Sequence, residues 1–251
     1  MSMAADLALA FAPELLAESL GYKLDPWQRR LISERPRKCL LAASRQSGKS
    51  FVTALACLET IISQPGCLVV LAAPSHRQSS ELLRTIRRLY EKLPDAVPLE
   101  NDGATKIAWR DGGRIIALPG EGVTTRGLSA PALIALDEAG FVDAEIVQAL
   151  TPMLATVRDG RFIALSSAGH RDSWFGQRWH DTVDQSWTRI SVTADDCPRI
   201  SKDWLAEQRL EMGERRWRQE FFCEWATDAE DQFFATELID RCFDKDLSPI
   251  W

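Results

Sequence analysis

Four continuous apolar runs, each five to seven residues long, punctuate the chain: 37–43 (RKCLLAA), 67–73 (CLVVLAA), 133–137 (LIALD) and 161–166 (RFIALS). Runs of this length without polar alternation predict strands covered on both faces, as in a parallel sheet. Amphipathic stretches fall between them. After the first run, KSFVTALACLETIIS puts Phe51, Leu55, Leu58 and Ile62 on one helical face. After the second, HRQSSELLRTIRRLYEKL repeats Leu82, Ile86 and Leu89 at helical spacing. The pair TKIAW and RIIAL, joined through RDGG, predicts a β-hairpin. The order is β-α-β-α, a hairpin, then β-α-β, which predicts an α/β fold with a mainly parallel central sheet flanked by helices.

Beyond about residue 170 the pattern changes. Six of the nine tryptophans fall between Trp174 and Trp225, in a stretch that reads as mostly helical, with two helices broken at Gly213. A helical layer or lid over residues 170–225 is expected, and its Trp and Arg content also suits a subunit interface. The chain is read as one domain over 1–225, with an N-terminal helical segment over 1–36 on the adenine side. Residues 226–251, which open on the acidic ATDAEDQFF, are read as a linker.

Charge and cysteine usage narrow the classes. A net charge of −6 disfavours coating nucleic acid by bulk electrostatics. Basic clusters at Arg29–Arg30, Arg35–Lys38, Arg84–Arg88 and Arg215–Arg218 leave local phosphate contacts open. No apolar stretch approaches the roughly 20 residues needed to span a bilayer, so no membrane association is expected. The first 23 residues lack the basic start of a signal peptide and read as an amphipathic helix. The six cysteines show no metal-ligand spacing, which predicts buried reduced thiols in a cytosolic protein.

The chemistry concentrates where strands end. ASRQSGKS, residues 43–50, joins the first apolar run to the first helix. Backbone N–H groups from Ser44, Arg45, Gln46, Ser47 and Gly48 would wrap phosphates, Lys49 would neutralise their charge, and the Ser50 hydroxyl would ligate Mg²⁺. This is a phosphate-binding loop (P-loop) with Ala43 in place of the first glycine, tolerable where that residue has negative φ. LIALDEAG ends a later strand on two acids: Asp137 suits the Mg²⁺ shell, and Glu138 suits activation of the attacking water. The pair favours an ATP hydrolase over a binding module. Ser166 and Ser167 follow the next strand, placed to couple γ-phosphate loss to motion. Upstream, Gln28 begins a helix and has the groups to read an adenine edge, with Tyr22 or Trp27 available to stack.

These pieces, in this order, resemble the ATPase (motor) domain of the large terminase subunit, which packages double-stranded DNA in tailed phages and herpesviruses. The resemblance runs from about Gly21 to Trp225 and rests on PWQ, SRQSGKS, LAAPSHRQ, TTRGLSAPALIALDEAGF, LSSAG and RRWRQEFFCEW. It makes Ala43 and Arg45 a family variant of the loop. It implies a P-loop NTPase fold with ATP and Mg²⁺ as cofactors. Arg45 would reach the phosphates or the acidic pair in its own subunit, and Arg126 would be inserted into a neighbour's site. The implied partners are double-stranded DNA, a portal ring, the small terminase subunit and further copies in a homo-oligomeric ring, in the cytoplasm of the bacterial host. Full-length members add an RNase H-type nuclease, for which this chain has no room, so ATP hydrolysis without cleavage is expected. A helicase-like translocase and a non-catalytic nucleotide-binding subunit are the competing readings.

Overall fold

A computed structural model describes residues 12–226, apart from 94, 95, 97, 119–127 and 129. Its centre is an eight-stranded sheet in the order β3-β4-β5-β2-β6-β7-β1-β8. The strands are β1 (Lys38–Ala43), β2 (Leu68–Ala72), β3 (Leu99–Asp102), β4 (Lys106–Trp109), β5 (Arg114–Ala117), β6 (Leu133–Asp137), β7 (Arg161–Ser166) and β8 (Thr188–Val192). From β5 across to β8 every neighbouring pair is parallel. Only β3–β4 and β4–β5 are antiparallel. The four apolar runs are the four central strands, and their β-residues are almost all buried because helices cover both faces.

The described helices are α1 (Leu15–Ser19), α2 (Pro26–Glu34), α3 (Lys49–Ser63), α4 (His76–Tyr90), α5 (Ala144–Leu150), α6 (Trp174–His180), α7 (Lys202–Met212) and α8 (Glu214–Phe222). Strand periodicity divides the core between them. Cys39, Leu41 and Ala43 of β1 face the side packed by α1–α4. Leu40 and Ala42 face the side packed by α5, α6 and the tryptophans Trp174, Trp179, Trp187 and Trp225. A smaller cluster of Ala194, Leu205 and Phe221 holds α7 and α8 together.

Local chemistry sets the helix boundaries. Ser75 caps α4 in a capping box, its N–H donating to Gln78 Oε1 at 3.1 Å, and Arg87 and Arg88 sit in the last turn, where the dipole favours cations. Arg189 of β8 reaches back to the end of α6, donating to the carbonyls of Arg178, Trp179, Asp181 and Asp184. One guanidinium thereby satisfies the last carbonyls of the helix and fixes the loop that follows.

Two strands were not expected. The stretch 170–225 is mostly helical, but Thr188–Val192 forms β8, parallel to β1 at the sheet edge. Only Ile190 and Val192 of that strand are buried, so its apolar signal is too sparse to read as a strand. The expected hairpin is the antiparallel pair β4–β5, and Leu99–Asp102 extends it to a three-stranded meander by pairing with β4 despite being polar and mostly exposed. The break at Gly213 is where expected, with φ at 79° between α7 and α8. The five described cysteines are free, and four of them are buried while Cys67 is half-buried; burial pushes the Cys39 and Cys57 thiols up to about 12. The linker over 226–251 lies, except for Ala226, outside the described residues, as do Arg126 and the first eleven residues.

Candidate nucleotide site

The site forms where three adjacent parallel strands end. β7 lies between β1 and β6, with Ser166 opposite Ala42 and Leu165 opposite Asp137. This order brings the loop after β1, the two acids after β6 and the serine turn after β7 side by side. Crevices at the carboxyl ends of such strands are the usual ligand sites of parallel sheets.

Ala43 closes β1 as an ordinary strand residue, so no glycine is required there. Gly48 is favoured by its backbone and sits close under a side-chain amide. Its φ is 90°, and a Cβ would lie 2.9 Å from Gln28 Nε2. Lys49 opens α3 and is nearly buried, with Nζ 3.3 Å from Glu138 Oε1. Ser166 Oγ makes a long, 3.5 Å hydrogen bond to the other Glu138 oxygen. Glu138 itself has φ at 50°, a left-handed conformation that non-glycine residues seldom adopt and that turns the chain into the 3₁₀ segment Ala139–Phe141. Gly140 then packs directly on the serine turn: a Cβ there would lie 2.9 Å from Ser166 Oγ. Ser167 is buried in the same turn.

Asp137 is 7% exposed and accepts the Glu138 N–H at 2.9 Å. Burial, followed by the adjacent Glu138 charge, raises its pKa from 3.8 to about 6, with Lys49 opposing. Asp137, Glu138 and Ser50 line a cavity of about 190 Å³ together with Arg77, Gln78 and Glu81 of α4. Arg77 and Glu81 were not singled out from the sequence.

Arg45, Gln28, Tyr22 and Trp27 each have partners within the chain. Arg45 does not reach the acidic pair: its Nε lies 3.0 Å from Glu220 Oε2 on α8, and its backbone N–H donates to the Glu220 carbonyl at 2.9 Å. The acid on α8 is the nearer counter-charge. Gln28 is 2% exposed against the loop, but its Oε1 accepts the Asp25 N–H at 3.0 Å to cap α2. Tyr22, offered as a stacking partner, packs on Phe51 with ring centroids 4.8 Å apart. Trp27 is buried in the core below α2.

The donors fit a magnesium–phosphate group. Hard oxygen ligands from one hydroxyl and one or two carboxylates, completed by phosphate, are what Mg²⁺ favours. Among the described residues no group of three or more His, Cys, Asp or Glu forms an all-protein metal cage. Ser47 Oγ is buried in the loop without a hydrogen-bond partner, as an atom awaiting an acceptor would be.

The fold and the loop together define a P-loop NTPase domain. The family model for the N-terminal part of the T4-like-virus type of terminase large subunit matches residues 40–241, and the chain belongs to that family. Among solved structures, the large terminase ATPase domain of Thermus phage P74-26 is 19% identical with a TM-score of 0.68, over 84% of this chain and 97% of that one. The large terminase of bacteriophage HK97 is 20% identical with a TM-score of 0.71, over 90% of this chain. That of the thermophilic bacteriophage D6E, solved in complex with ATP-γ-S, is 14% identical with a TM-score of 0.64, over 82% of this chain. This chain spans 56% and 53% of the last two. No curated protein matches it in sequence.

Proposed function

We propose that this domain hydrolyses ATP to drive double-stranded viral DNA into a procapsid. One observation carries the reading: Lys49, the Asp137–Glu138 pair and Ser166 converge at three adjacent strand ends, with Glu138 held by the lysine and the serine. Family membership and the nucleotide complexes of the D6E protein, one with ADP and one with ATP-γ-S, support it.

In this reading the N–H groups of residues 44–48 bind the β- and γ-phosphates. Lys49 exchanges Glu138 for phosphate, and the released carboxylate orients the attacking water. Ser50 and Asp137 hold Mg²⁺, which when bound neutralises charge on the phosphate oxygens. Arg126 supplies transition-state stabilisation from a neighbouring copy, and Arg45 acts within its own subunit by leaving Glu220. Ser166 and Ser167 sense γ-phosphate loss. Residues 1–36 form the adenine side, residues 170–225 a lid, and residues 226–251 a linker. The partners of this reading are DNA, a portal ring, the small terminase subunit and a ring of identical copies in the bacterial host's cytoplasm. No helix among the described residues is long and apolar enough to cross a membrane. DNA cleavage is not assigned to this domain.

The test is Mg²⁺-dependent ATP turnover measured against protein concentration. Turnover per subunit should rise with concentration. Glu138→Gln should still bind ATP while losing at least about a hundredfold in rate, in the range seen for loss of a general base. Arg126→Ala should remove the concentration dependence. Undiminished turnover in Glu138→Gln would exclude that residue as the water-orienting base.

A further inference from the structure

One charged contact of the loop comes from a distant part of the chain. Arg199 lies between the 3₁₀ segment Ala194–Asp196 and the start of α7. Its Nη2 donates to the Ser47 carbonyl at 3.0 Å. The same guanidinium grips Asp25, with Nη1 2.7 Å from Oδ1 and Nη2 2.7 Å from Oδ2. Asp25 is the N-cap of α2, whose Gln28 packs against Gly48. One side chain therefore joins the chain after β8, the head of α2 and the phosphate loop.

The peptide it grips is the one that matters. In a planar trans peptide the carbonyl and the following N–H point in opposite directions. With the Ser47 oxygen fixed on Arg199, the Gly48 N–H is directed away from that guanidinium. Gly48 lacks a Cβ, so this peptide has the fewest steric restraints in the loop. Rotated over, it would offer a carbonyl oxygen to a phosphate where an N–H is needed.

We propose that Arg199 is a positioning residue for ATP: it locks the Ser47–Gly48 peptide in the phosphate-binding orientation, so the segment after β8 completes the nucleotide site. The proposal rests on the ATP reading above. A planar fork bridging a carboxylate and a carbonyl is a task for guanidinium that a single ammonium cannot duplicate.

The experiment compares wild type, Arg199→Ala, Arg199→Lys, Asp25→Asn and Lys49→Ala by mant-ATP affinity and by steady-state turnover. All are measured below the unfolding transition of the least stable variant. Arg199→Ala should weaken mant-ATP binding about tenfold or more, the size expected for a charge-assisted hydrogen bond. KM should rise in step while kcat changes less than about threefold, the pattern of lost uniform binding. Arg199→Lys should recover less than half of the loss. Asp25→Asn keeps a helix-capping side chain and should shift affinity in the same direction, more weakly. Wild-type affinity and KM in Arg199→Ala, with Lys49→Ala still defective, would overturn the positioning role and leave the ATP reading intact. So would losses in Arg199→Ala that track its unfolded fraction while folded Arg199→Lys and Asp25→Asn bind normally. If wild type and Lys49→Ala are equally unable to bind, the ATP reading fails and the positioning role with it.

Discussion

Asp137 shows what the site costs the fold. Its carboxylate is buried beside Glu138 with a pKa near 6 against 3.8 in free solution. Between those values the folded chain keeps a proton that the unfolded chain has lost, so rising pH favours the unfolded state. The nucleotide-free protein should lose about 2–3 kcal/mol from this group as pH climbs from about 4 to about 6, and no more above that. Asp137→Asn should abolish that slope and raise the neutral-pH melting temperature by several degrees while removing ATP turnover. Thermal melts at pH 4, 5, 6 and 7 of both proteins check this. A parallel pH trend in the two proteins would assign the slope elsewhere. The contiguous chemistry of this site was legible in the sequence, since Gly48-Lys49-Ser50 and Asp137-Glu138 are neighbours along the chain. Glu220, Arg199 and Asp25 were not, because each acquires its meaning from a partner more than a hundred residues away: Arg45, Ser47 and Arg199 respectively.

Among the elements, α6 shows how tightly the serine turn is backed. A Cβ on Gly176, in its first turn, would lie 2.4 Å from the His170 carbonyl and 2.6 Å from that of Arg171. Both obstacles are backbone, which cannot rotate aside. Gly176→Ala should therefore cost about 2–3 kcal/mol despite the better helix propensity of alanine, at the upper end for overpacking. Urea titration checks it, and a neutral or stabilising result would show that the turn yields. The central strands and long helices were legible because burial on two faces leaves unbroken apolar runs. Strands β3 and β8 escaped because edge strands need few buried side chains; their pairing is made by backbone groups that carry no sequence signature.

In the whole molecule, the two elements that carry Lys49 and Ser166 are also joined at their opposite ends. Glu59, late in α3, faces Arg161 at the start of β7 across 3.8 Å and is hydrogen-bonded to Arg35. Both Glu59 and Arg161 are buried. Glu59→Gln strands the Arg161 charge and should destabilise the chain by about 3 kcal/mol or more. Equilibrium unfolding checks this, and the loss should appear without any change in ATP affinity once the folded fraction is allowed for. Near the site a different joint matters. The Ala226 N–H donates to the Gly169 carbonyl and the Arg171 N–H donates to the Ala226 carbonyl, a parallel bridge between the serine turn and the last described residue. In mechanical terms those two bonds are a short strut footed three residues from the side chain that touches Glu138, so a displacement of Ala226 is carried toward that contact by backbone alone.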